Sequence, residues 1–182
     1  VGDAHGLQID PIAVEHETAM GSFRLAFDEA GERTIPGLFL DDFVPFADEI
    51  RRLEAWRRGA VPFGFVPSTT LVAKRDGELV GVCTVRHELH AQLSDAQGHV
   101  VLSIRPDQRR QGLGRELLDQ ARTLLGELGV DPLTLVTTTA SAAAFASAAG
   151  ATRVSTHGPL VTWELPSIPP PRRGLFAWLF DR

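Results

Sequence analysis

The sequence predicts one α/β domain, a mixed sheet of about six or seven strands flanked by about four helices. Three observations carry this prediction. The chain has 182 residues and is 43% hydrophobic, enough for one packed core and too little for two ordinary domains. Its periodic segments run as two helices, three strands, a helix, a strand, a helix and two strands. One apolar strand also passes through a glycine-containing loop straight into an amphipathic helix.

Each element has its own signal. Gln8 to Pro11 reads as a short first strand. Glu15 to Ala30 carries Ala19, Met20, Phe23, Ala26 and Phe27 at helical spacing. Asp42 to Trp56 reads as a second helix capped by Asp41 or Asp42. Thr69 to Lys74 and Leu79 to Leu89 form a hairpin around Asp76-Gly77. His99 to Ile104 is a strand stopped by Arg105-Pro106. Leu113, Leu117, Leu118, Ala121, Leu124, Leu125 and Leu128 make one apolar stripe, with Gly129 as its stop. Leu133 to Thr137 is a strand, Ala140 to Ala149 a small-residue helix, and Ala151 to Ser155 and Leu160 to Leu165 the last two strands. The domain spans 1–165. Four prolines in Pro166 to Pro171 then open a stiff tail, 166–182.

Composition excludes several classes. A single Cys, Cys83, excludes a disulfide framework and a Cys-based zinc site, and no metal is implied. It fits a reducing, cytoplasmic setting. A net charge of −5 argues against binding nucleic acid by general electrostatics. No run is long enough to span a membrane, and the first residues show no secretory signal. The chain has no tyrosine, so a mechanism needing a phenol is excluded.

The chemistry sits in Val100 to Gly114. The first amides of a helix lack partners within the helix, and its dipole favours negative charge there. Glycines at 112 and 114 remove side chains that would obstruct a phosphate, so the segment reads as an anion site, suited to a pyrophosphate. Two other phosphate motifs fail. A dinucleotide fingerprint needs glycine where Leu117 stands, and a P-loop needs Lys where Arg115 stands.

Arg109-x-x-Gly112-x-Gly114, after a strand and Pro106, resembles the acetyl-CoA signature of the GNAT N-acetyltransferases. The similarity covers roughly residues 7–165. Val66 to Thr70, Val85 to Leu89 and Gly98-His99 further resemble a little-characterised subfamily of predicted acetyltransferases. The resemblance implies acetyl-CoA as acetyl donor. Pyrophosphate would be held by Arg109, Arg110, Gln111, Gly112, Leu113 and Gly114, with Arg115 beside them. Leu102, Ser103 and Ile104 would pair with the pantetheine arm, in a gap where their strand splays from Leu133 to Thr137. The Ile104 amide would face the thioester carbonyl and stabilise its oxyanion.

The implied reaction is direct transfer to a primary amine in a ternary complex, without an acyl-enzyme. A protonated alkylamine must first lose a proton. The family's usual carboxylate position falls at Gly98-His99, which makes His99 the expected base, with Glu88 and His87 in reserve. The family's usual thiolate acid, a tyrosine, falls at Ala146. Thr139, Ser141, Ser147 or water would replace it, which a thiol's pKa near 8.5 makes sufficient. The missing tyrosine favours an alternative, a non-catalytic acyl-CoA-binding regulatory or sensor module. An interaction scaffold with an unused cleft is a third.

In such a fold Thr34 to Pro67 would border the acceptor, a small-molecule or peptide amine. Phe39, Phe43, Phe46, Phe63 and Phe65, with Asp41, Asp42, Asp48, Glu49 and Trp56, suit an apolar body bearing a cationic amine, or simply pack this segment. The bulky apolar residues at 175–180 would dock on the domain itself or on a partner subunit in a homodimer.

Overall fold

The structure, a computed structural model, describes residues 7–41, 43–90 and 97–169. In chain order it contains β1 (Gln8–Pro11), α1 (Glu17–Glu29), α2 (Phe46–Arg57), β2 (Ser68–Arg75), β3 (Glu78–Arg86) and β4 (Val100–Ile104). Then follow α3 (Leu113–Glu127), β5 (Leu133–Thr137), α4 (Ala140–Ala148), β6 (Thr152–His157) and β7 (Leu160–Leu165). The strands form two half-sheets, in the orders β1-β2-β3-β4 and β5-β7-β6. This is the predicted mixed α/β class.

Helices cover both faces, which explains why β2 and β3 read as near-continuous apolar runs. On one face Met20, Phe23 and Phe27 of α1 and Ile50 and Leu53 of α2 pack on Val72, Leu79 and Val82. On the other, the α3 stripe packs on Leu71, Val80, Cys83 and Val85 and reaches the second half-sheet at Leu133 and Leu165. Leu117, Leu118, Leu124 and Leu125 are fully buried. Truncating any of them to Ala removes about 2–5 kcal/mol.

Most boundaries shift by one or two residues from the sequence reading, and two shift further. Helix α2 begins at Phe46, not Asp42, because the Pro45 carbonyl caps it, accepting from the amides of Asp48 at 2.9 Å and Glu49 at 3.1 Å. Asp41 instead closes a turn, accepting from the Phe43 amide at 2.9 Å. Asp42 lies outside the described residues. Strand β3 ends at Arg86, not Leu89, because the His87 amide donates to the Pro67 carbonyl at 2.8 Å and leaves the ladder. Past Leu165 the chain lies along α3: the Ile168 amide donates to the Arg122 carbonyl and Arg122 Nε to the Pro166 carbonyl. The apolar run at 175–180 lies outside the described residues.

The half-sheets meet where β4 and β5 begin. Gly98 bridges to Leu135, and the His99 amide donates to the Thr134 carbonyl at 2.8 Å. The Thr134 amide in turn donates to His99 Nδ1 at 2.9 Å. Gly98 has φ +67°, and a Cβ there would stand 2.6 Å from the Thr134 carbonyl oxygen. Only glycine fits both conformation and approach. Beyond this latch no ladder joins β4 to β5 among the described residues. Burial, then the nearby Arg86 charge, lowers the His99 pKa to about 4. His87, hydrogen-bonded to Thr69 Oγ1 at 2.8 Å, is lowered to about 4 by burial, then by Arg57.

Gly98→Ala should therefore cost about 2–4 kcal/mol in urea denaturation. Gly77→Ala, also at positive φ but with nothing within 4 Å of the new Cβ, should cost about 1 kcal/mol. Equal losses would show that the contact with Thr134 is not limiting. The two histidines also set an acid dependence. Their ordinary pKa is near 6.5, so as pH falls from about 6.5 to 4 the unfolded chain binds protons that the folded chain refuses. Stability should be full above that window, fall through it by up to about 3 kcal/mol per ring, and lose nothing more from these rings below it. Denaturation midpoints at pH 7.5, 5.5 and 4 read this, and His87→Gln should flatten the slope.

Candidate functional site

Because β4 and β5 part beyond the latch, a cleft of about 1040 Å³ opens between them. The loop before α3 closes one end. Arg110 (φ +62°) and Gly112 (φ +84°) are both left-handed, which turns successive amides toward one side as an anion-binding nest. Arg115 and Glu116 donate their amides to the Gly112 carbonyl. The amides of Arg110, Gln111, Gly112, Leu113 and Gly114 have no acceptor among the described residues. A Cβ at Gly112 would meet nothing within 4 Å, so the nest is open to a ligand.

The cationic side chains of this loop differ in their availability. Arg109 braces the loop: Nε donates to the Ile104 carbonyl at 3.0 Å, and its terminal nitrogens form a bidentate pair with Glu32 at 2.6 and 2.7 Å. The hydrogen bond from Arg109 is the main cause holding the Glu32 carboxyl below its ordinary pKa. Arg115 reaches Asp119 and the Ala148 carbonyl. Arg110 is exposed on the cleft. Gln111 turns away from the cleft and accepts from Arg75 at 2.7 Å.

Strand β4 forms a wall. The Arg105 amide donates to Val80 on β3. By alternation along an antiparallel strand, the amides of Leu102 and Ile104 face the opposite, open edge. The Ile104 carbonyl, which Arg109 reaches from the cleft side, agrees with this. Ser103 and Thr84 point elsewhere: their hydroxyls donate to the Pro36 and Gly37 carbonyls and hold that segment over the sheet.

The facing wall comes from β5 and α4. Phe145 lies against Gly114, 3.4 Å from where its Cβ would be. Ala146 is fully buried and lines the cleft, with Thr139 and Ser141 beside it. Thr139 caps α4, accepting from the Ala142 amide at 3.2 Å. Ser147 is exposed and outside the lining.

The end opposite the nest is lined by Phe39, Arg86, Gln97 and Val100. Arg86 is buried, with Nη1 donating to the Gly98 carbonyl at 3.0 Å and Nη2 to Gln97. Its role was not legible in sequence; the only signal was a charged residue closing the apolar run of β3. The carboxylates expected near the acceptor are engaged instead. Buried Glu49 pairs with Arg52 and accepts from the Asp41 amide, and Asp48 pairs with Arg51. Phe46 packs on the core, while Phe43 and Phe63 are exposed. Glu88 is exposed past the end of β3 and does not line the cleft. His99 sits behind the lining in the latch. Cys83 is buried among core side chains, with its thiol pKa pushed up by burial.

The profile of a family described as the acetyltransferase (GNAT) family matches residues 34–150. No individually curated protein matches the chain. Many solved structures share the fold, three of them as follows. The GNAT domain of S. lividans PAT aligns at 18% identity and TM-score 0.59, over 88% of this chain and 90% of that one. The putative acetyltransferase yncA from Salmonella typhimurium, solved with acetyl-CoA, aligns at 16% and 0.57, over 88% and 93%. The PaiA N-acetyltransferase from Thermoplasma acidophilum, solved with coenzyme A, aligns at 14% and 0.56, over 88% and 99%. With its nest of open amides at the start of α3, its splayed β4 and β5, and a profile match across well over half its length, this chain belongs to the acetyltransferase (GNAT) family.

Proposed function

We propose that this protein transfers the acetyl group of acetyl-CoA to a primary amine by direct attack in a ternary complex. The observation that carries this reading is the continuity of one cleft. A nest of open amides at Arg110–Gly114 leads along the open amides of Ile104 and Leu102 to a buried polar end at Arg86 and Gln97. The residues fit the cofactor on their own chemistry. Open amides at a helix N-terminus suit a pyrophosphate, with Arg110, which has no partner among the described residues, able to add charge. An unpaired strand edge suits the amides and carbonyls of a pantetheine arm.

Acetyl-CoA supplies an acyl carbon that an amine nitrogen can attack and a thiolate that can leave. The chain's own groups act around that step. The Ile104 amide, named by the sequence, and the Leu102 amide, next toward Arg86, are the donors available to developing negative charge. His99 was the expected base. A neutral ring that accepts the Thr134 amide at Nδ1 carries its proton at Nε2 and has no second lone pair. We therefore assign it a positioning role, holding the apex of the cleft. The amine then enters as its neutral fraction, which burial and the Arg86 charge both favour. Thr139 and Ser141, or water, serve the leaving thiolate, whose modest basicity asks little of its acid. The second reading, an acyl-CoA-binding module without turnover, is favoured by one observation, Ala146 at the usual acid position.

Two outcomes are expected. At 100-fold excess over Kd, acetyl-CoA should stabilise the protein by about 2.7 kcal/mol and raise Tm by roughly 5–10 °C. Gly112→Glu, which sets a carboxylate in the nest with no neighbour within 4 Å of its Cβ and a cost of about 1 kcal/mol for the positive φ, should abolish that shift. A retained shift would place the phosphates elsewhere. In an amine-panel assay of thiol release, His99→Ala should lower kcat at least about tenfold. His99→Asn, whose Oδ1 can accept from Thr134 as Nδ1 does, should recover most of it. Equal loss in both variants would return His99 to the role of base. Cofactor binding without thiol release from any amine would favour the non-catalytic module.

A further inference from the structure

Arg86 is a cation inside a ligand cleft with no anionic partner among the described residues. It is 7% exposed. Its bonds go to two neutral oxygens, the Gly98 carbonyl and the Gln97 side chain. A guanidinium has five N–H groups in a rigid fork, so three have no hydrogen-bond partner among the described residues. Burial lowers its pKa, and no neighbouring acid offsets this among the described residues. Tying down one carbonyl does not require a permanent charge, and burying one without an anion is costly.

The groups around Arg86 sharpen the point. His99, one residue before β4, is held neutral by burial and by Arg86 itself. His87, one residue on, is neutral by burial and feels the positive Arg57. The carboxylates of α2, Asp48, Glu49 and Glu54, are paired with Arg51, Arg52 and Arg58. This end of the cleft is thus cationic although the whole chain carries −5. The ring of Phe39 lies 5.9 Å from the guanidinium and bounds the same space.

We infer that Arg86 reads an anionic group on the acceptor, so that the substrate class is an amine bearing a carboxylate, bound with that carboxylate on the guanidinium fork at the closed end of the cleft. This deepens the acetyltransferase reading and rests on it. A planar carboxylate matches the geometry of guanidinium and gains charge-assisted bonds that no amine lacking it can make. The aromatic and acidic segment at 34–67 therefore frames the cleft, while selection falls to a residue on β3.

Thiol release is measured with acetyl-CoA and matched acceptors: glycine with glycinamide, γ-aminobutyrate with butylamine, and phenylalanine with phenethylamine. Each rate is referred to its neutral-amine fraction. The carboxylated member of at least one pair should exceed its partner by about 10- to 100-fold in kcat/KM. Arg86→Gln should collapse that ratio to within about threefold, chiefly by raising KM for the carboxylated member, with folding followed by the melting transition. If the variant does not fold, the wild-type ratios and competitive inhibition by phenylacetate against the amine decide. Turnover with no preference in any pair overturns this inference and leaves the transferase reading intact. A preference that survives in folded Arg86→Gln overturns the role of Arg86. No thiol release from any acceptor removes both.

Discussion

Seven strands of this kind would close into one sheet if β4 and β5 paired along their length. They are held instead at one end, by Gly98 against Leu135 and by His99 against Thr134. Two features make that end a latch. Glycine at 98 allows a backbone approach that any Cβ would obstruct. The His99 ring takes the Thr134 amide that a strand neighbour would otherwise have taken. Past the latch the strands part, and the open edge of β4 becomes a surface for a ligand. Unpaired strand edges in water invite aggregation; here the edge is sheltered between two half-sheets that share one core.

That shared core keeps the cleft rigid. The stripe on α3 packs on both half-sheets, so its N-terminus, with the open amides of the loop, cannot drift from β4. Arg109 strengthens this coupling by tying the loop to the end of β4 and to Glu32 after α1. An arginine in a phosphate-binding signature need not touch phosphate; here its fork is spent on a carboxylate and a carbonyl. Preorganised amides supply the anion site without having to reorient when a ligand arrives.

The absence of tyrosine acquires a location in the folded protein. Ala146 lies in the cleft wall with its methyl fully buried, and Phe145 closes the space over Gly114. The wall that could have carried an acid is apolar there, and the hydroxyls along it belong to Thr137, Thr138, Thr139 and Ser141. In the transfer we propose, presenting a neutral amine and the amides of β4 matter more than a strong acid.

Local pattern was enough for the class of fold, the order of elements, the α3 stripe and the anion loop. Periodicity and glycine placement are properties of short stretches, and Leu133 to Thr137 and Leu160 to Leu165 were legible to the residue. Other features belong to contacts between residues far apart in the chain. Thr134 lies 35 residues from His99, and its amide turns an apparent base into a latch. Glu32 lies 77 residues from Arg109 and occupies it. Arg86 read as an ordinary residue within the strand Leu79 to Leu89 until Gly98 and Phe39 enclosed it. Charge pairing and burial decide what an ionisable group can do, and both are set by neighbours that only the tertiary structure brings together.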